Sequence, residues 1–166
     1  MANLTLSELS NSVSTVQDTD LMYVSVDEGG GIYTSAKITG SNVFGEAKSG
    51  TIVFGVDGSG SVVTTGLKQY IVSPYDMEIQ EWNLSSDQSG DIEIDIWTTD
   101  IPSAPPTALN SITGGNAPSL SSEQFKTSSN LTGWATTVNA SNVVAFNINS
   151  VSTVTQINMV IKVKKT

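Results

Sequence analysis

The chain has 166 residues, of which 38% are hydrophobic and 14% charged, against about a quarter charged in ordinary globular domains. Its formal net charge is −9, its seven basic residues are all lysines, and it contains neither histidine nor cysteine. Those absences rule out disulfides and thiolate metal sites, the Ser-His-Asp triad and the commonest zinc ligand. Without arginine to grip phosphate, and with a repulsive overall field, nucleic acid is not an expected partner.

The opening stretch MANLTLSELSNS carries Leu4, Leu6 and Leu9, enough for one or two helical turns. It has neither the basic head nor the apolar core of a secretory signal, and no apolar run in the chain is long enough to cross a bilayer. No membrane role is expected. LMYVSV (21–26) and IYTSAKI (32–38) are β-rich runs joined by the glycine-loaded DEGGG, which predicts a β-hairpin at about 21–38. A lone hairpin is marginal in water and needs something to dock on. The small, polar GSNVFGEAKSG (40–50) is the best linker. Two parts are therefore expected, an N-terminal segment 1–45 and a β-domain 46–166.

Strands are expected near 51–57, 66–73, 77–85, 91–98, 122–127, 134–138, 143–149 and 153–163, separated by turn signals such as DGSGS, SPYD, SSDQSG and NASN. The long gap 99–121 holds four of the five prolines and reads as a loop with room for one short helix. Eight short antiparallel strands with one long crossover predict an all-β fold, a C-terminal antiparallel jelly-roll-like β-sandwich preceded by the small hairpin module. In the last strand, Ile157, Met159, Ile161 and Val163 share one face. Between Ile79 and Trp82 the apolar phase slips by one residue, which predicts a bulge near Gln80–Glu81.

SGDIEIDIWTTD (89–100) interleaves Asp91, Glu93 and Asp95 with Ile92, Ile94 and Ile96. Burying three isoleucines contributes roughly 1.5–3 kcal/mol each, so they set the register and turn the acids outward. A solvated strand face is then preferred over a cation site or over paired catalytic carboxylates, whose spacing along a strand would be about 6.6 Å. No catalytic residue, metal or cofactor is expected. The glycine clusters lack the lysine and strand–turn–helix setting of a phosphate loop. Asp76, Glu78 and Glu81 extend the acidic surface and discourage stray sheet pairing. Trp97 stands on the acidic face. It either stacks on a sugar ring as a glycan-binding residue or packs beneath the IPSAPP that follows, and Trp134 in LTGWATT has the same two readings. Trp82 belongs in the core.

LSELSNSVSTVQDTDLMYVSVDEGGGIYTSAKITGSNVF resembles the module that begins many tailed-phage virion proteins, in which a leucine-containing lead-in precedes DTDLxxVS, a glycine turn and YxSxKIT. IVFGVDGSGSVVTTGLKQYIVSPYDMEIQEWNL, DQSGDIEIDIW and LTGWATTVNASNVVAFNINSVSTVTQINMVIKV resemble the β-sandwiches at the ends of phage fibre and minor structural proteins. Together they span almost the whole chain. The resemblance implies attachment to the particle through Asp18, Asp20, Leu21, Tyr23, Tyr33 and Lys37. It also implies a homotrimer, capsid or other virion proteins as partners, assembly in bacterial cytoplasm, and location on the virion. No shaft separates module from sandwich, so a stubby capsid-surface head fibre or decoration protein is expected, with weak adhesion to host surface glycans. A tail fibre or receptor-binding protein recognising host carbohydrate is the second expectation.

Overall fold

The computed structural model describes residues 21–27, 33–39 and 48–166. The predicted helical turns at 1–12, Asp18 and Asp20, and most of the predicted linker lie outside them. The chain divides into two compact units, Met1–Lys48 and Ser49–Thr166. In the first, β1 (Leu21–Asp27) and β2 (Tyr33–Thr39) pair antiparallel, where the sequence predicts a hairpin.

The second unit is a curled antiparallel sheet of seven strands: β3 (Ser49–Asp57), β4 (Gly66–Val72), β5 (Met77–Asp100), β6 (Ser119–Ser128), β7 (Thr137–Val138), β8 (Asn142–Ser152) and β9 (Gln156–Lys165). The order is β3-β9-β5-β8-β4, with β6 and β7 also pairing β5. The fold is all-β and sandwich-like, as the strand pattern predicts. Two strand expectations change. The strand predicted at 134–138 shortens to Thr137–Val138. The predicted strands 77–85 and 91–98 are a single strand of 24 residues. Its first half pairs with β9 and its second half with β8, so β5 bends from one layer into the other. SSDQSG, a turn by composition, makes that bend without reversing the chain. Gly90 is required there, because a Cβ would sit 2.7 Å from both Ser152 O and Val154 Cγ2.

The core lies between the two layers. Phe54 of β3 stacks on Phe146 of β8 with centroids 4.7 Å apart and rings 4° from parallel. Ile92, Ile94 and Ile96 are buried as predicted, and so are Ile157, Met159, Ile161 and Val163. The register between β5 and β9 shifts between Ile79 and Glu81, which is the bulge the apolar phase slip predicts.

The long loop is also structural. Ile112 N–H donates to Ile96 O (2.9 Å), Ala135 N–H to Ile112 O (2.8 Å) and Ile79 N–H to Thr136 O (2.9 Å). These bonds join both halves of β5 through residues 112 and 135–136 and close that side of the sandwich. On the opposite side a cleft of about 450 Å³ opens between β3 and β4, with Ile52, Ile71, Met77 and Val144 among its lining residues.

Candidate functional site

The acidic strip on β5 divides three ways. Asp91 is exposed and accepts the Ser122 N–H at 2.8 Å. Glu93 is half-buried and accepts from Asn149 Nδ2 at 2.8 Å. Asp95 corrects the expectation that all three acids face water, being only 9% exposed. Residues 111–113 run beside β5 and turn Ser111 and Thr113 toward it. Asp95 Oδ1 accepts from Ser111 Oγ (2.8 Å), Thr113 Oγ1 (2.7 Å) and Ile96 N–H (2.8 Å), while Oδ2 accepts from Trp97 Nε1 (2.8 Å). Every partner is a donor, which is what an acceptor-only carboxylate needs when buried. The loop closing over Asp95 lies far along the chain, so alternation within the strand carries no sign of it. Among the described residues, no group of three or more acidic, histidine or cysteine side chains is placed to hold a metal ion.

The two tryptophans singled out by sequence are half-buried, and both use their indole N–H internally. Trp97 donates to Asp95, whereas Trp134 donates to Asn116 O at 3.0 Å and packs against the core. Glu78 and Glu81 stand directly across the ladder from Lys164 and Lys162. Asp76 Oδ1 accepts the Ala140 N–H at 2.7 Å, which ties the 139–142 turn to the start of β5.

In the hairpin unit, the ladder pairs Leu21 with Thr39, Tyr23 with Lys37, and Asp27 with Tyr33. Opposed positions share a face and alternate positions switch face. Leu21, Tyr23, Tyr33 and Lys37 therefore occupy one face, and Met22, Val24, Val26, Ala36 and Ile38 the other. Four of the six predicted attachment residues thus come to one face, while Asp18 and Asp20 lie outside the described residues.

A second surface of the β-unit is the outer face of the layer β3-β9-β5-β6. Leu84, Met159 and Phe54 point inward, so the alternating positions point out. Two cross-strand rows result: Gly55–Asn158–Ser85–Phe125, and Val53–Val160–Asn83–Thr127. Phe125 is 68% exposed, more than any other aromatic side chain among the described residues. Three adjoining hollows lie along this layer. One of about 320 Å³ runs past Phe125, Thr127 and Asn83. A second of about 220 Å³ lies at Ser85 and Asn158, and a third of about 410 Å³ at Asn83, Val160 and Lys162. Among the described residues the Asn158 side chain has no hydrogen-bond partner, whereas Asn83 Nδ2 donates to Glu81 Oε1 at 3.2 Å and its Oδ1 accepts none. Sequence reasoning missed this face. The available signal was period-two alternation in SLSSEQFKTS, which cannot say which side of β6 is wet.

No protein-family model, curated protein or solved structure matches the chain.

Proposed function

We propose that the protein is a structural component of a tailed-phage virion: a short trimeric head fibre or decoration protein, attached through its N-terminal module, whose β-sandwich projects from the particle and adheres weakly to host surface glycans. The observation that carries this reading is the hairpin. The expected attachment residues Leu21, Tyr23, Tyr33 and Lys37 share one ladder face, as one attachment surface requires. The opposite face carries five apolar positions, more than a two-stranded hairpin leaves in water unaided. In the proposed assembly a sister subunit or a capsid protein packs on that face. Catalysis is not part of the proposal, because the Asp95 carboxylate is committed to four internal donors. In the projecting role, many weak copies act together and gain by multivalency.

The test is particle loading. Residues 49–166 form a compact unit with their own core, so the chain lacking 1–45 is expected to fold yet be absent from purified particles. Wild-type loading of the truncated chain, quantified on gradient-purified virions, would refute the attachment role.

A further inference from the structure

The open face of the β3-β9-β5-β6 layer has the chemistry of a specific ligand class. We propose that it is a binding surface for a neutral oligosaccharide, with Phe125 stacking one pyranose ring and Asn158, Ser85, Asn83 and Thr127 bonding the hydroxyls of its neighbour. This inference rests on the adhesive part of the reading above and not on the attachment part.

Three features select the occupant. The first is shape. Phe125, Ser85 and Asn158 are opposed residues on three successive strands, so Phe125 and Asn158 are about 9–10 Å apart, twice the inter-strand spacing. A linear glycan lying across the strands covers that distance with two adjacent rings. The aromatic ring meets the C–H face of one, and the amide reaches the hydroxyl edge of the next.

The second is polarity. From Gly55 to Phe125 and from Val53 to Thr127 the two rows contain no charged residue, in a chain of net charge −9. Anionic partners such as nucleic acid, acidic polysaccharide or acidic lipid are repelled by the whole molecule, and the two lysines that border the hollows stand beside acids, Lys126 at 3.8 Å from Glu123 and Lys162 across the ladder from Glu81. A neutral polyol meets no such penalty. Its hydroxyls both donate and accept, matching the unpaired amide of Asn158 and the open Oδ1 of Asn83.

The third is access. The small Ser85 opposite Phe125 leaves the ring standing above its row, and the three hollows adjoin one another through the shared residues Asn83 and Ser85. Trp97 and Trp134 lack this freedom, since both indole N–H groups are already spent inside the fold.

The experiment titrates the purified full-length chain with maltohexaose, cellohexaose and chitohexaose, reading binding by saturation-transfer NMR and calorimetry. At least one hexaose is expected to bind. Phe125→Ala should weaken that binding at least tenfold and Asn158→Ala several-fold. Phe125→Tyr should retain it, and Trp134→Phe should leave it unchanged. Phe125 is mostly exposed, so its substitutions are expected to fold, with circular dichroism and the unfolding midpoint as the check. Failure of the wild-type chain to bind any of the three, or binding by Phe125→Ala equal to wild type, overturns the proposal. So does a change in sedimentation mass on Phe125→Ala, which would assign the face to a second copy of the chain. None of these outcomes involves particles. A variant that loads normally but loses sugar binding leaves the attachment reading standing, and a protein that binds sugar but fails to load refutes attachment alone.

Discussion

Replacing Asp95 by Asn keeps the side-chain shape and removes the charge, at a buried position where four donors converge. The amide can present an oxygen to only one side. If its oxygen stays with Ser111, Thr113 and the Ile96 N–H, its NH2 group faces the Trp97 N–H, and two donors oppose each other. Flipping the amide moves the conflict to the three-donor side, which is worse. A buried donor left without a partner costs about 1–3 kcal/mol. The surviving bonds also lose their charge assistance, which roughly halves their strength. Asp95→Asn is therefore expected to destabilise the sandwich by about 2–4 kcal/mol. Denaturant unfolding followed by tryptophan fluorescence should show a lower midpoint with an unchanged slope. Trp97→Phe removes the conflicting donor. A cycle of Asp95→Asn, Trp97→Phe and the double variant should accordingly show coupling of about 1 kcal/mol or more. A loss within about 0.5 kcal/mol, the range of ordinary surface substitutions, or additive single effects, would refute the account of Asp95 as the clamp of the proline-rich loop.

The bend of β5 gives two further expectations. Asp87 accepts from Thr155 Oγ1 (2.5 Å), Gln156 N–H (2.9 Å) and Thr155 N–H (3.0 Å), and these bonds, the Thr155 hydroxyl first, hold its pKa below the usual 3.8. A carboxylate depressed on folding stabilises the native state above its unfolded pKa, and that contribution is lost as pH falls below about 3.8 and through the folded value. Asp87→Asn should consequently flatten the acid arm of the stability–pH profile and leave its slope above pH 5 unchanged; an unaltered acid arm would contradict this. Gly90→Ala places a methyl group against Ser152 O and Val154 Cγ2, so overpacking of about 1–3 kcal/mol is expected, read as a lower melting temperature. An unchanged melting temperature would mean that the β5 corner can open without cost.

Much of this architecture follows from local patterns. The alternation Ile157-x-Met159-x-Ile161-x-Val163 marks the inward face of β9, and the slipped phase between Ile79 and Trp82 marks the bulge. Both are properties of one strand read against its own pleat. What the local pattern misses depends on pairing between distant segments. SSDQSG has the composition of a reversing turn, yet β9 and β8 bind the two sides of the bend and keep the chain running forward. Asp95 has the spacing of a wet residue but is covered by Ser111 and Thr113 from the crossover loop. Phe125 belongs to a strand whose outward side is decided by its pairing with Ser85. The candidate site is for that reason less legible than the fold, since a sheet surface is assembled from rows across strands and no single segment contains a row.

The acids have a common structural use that bears on function. Of the six aspartates in residues 49–166, Asp57, Asp76, Asp87, Asp91 and Asp95 each accept a backbone N–H at 3.0 Å or less: from Ser59, Ala140, Gln156, Ser122 and Ile96 respectively. A fold built of strands and loops leaves many loop N–H groups without ladder partners, and a chain without cysteine has no disulfides to pin those loops. Aspartate does both jobs here, since a short carboxylate reaches nearby backbone without a long side chain to order. Three of these five, Asp57, Asp76 and Asp87, sit where the chain turns or bends, and the rows Gly55–Asn158–Ser85–Phe125 and Val53–Val160–Asn83–Thr127 contain no charged residue. Rows of amides, hydroxyls, two valines and one aromatic are what the proposed adhesive surface for neutral sugars requires.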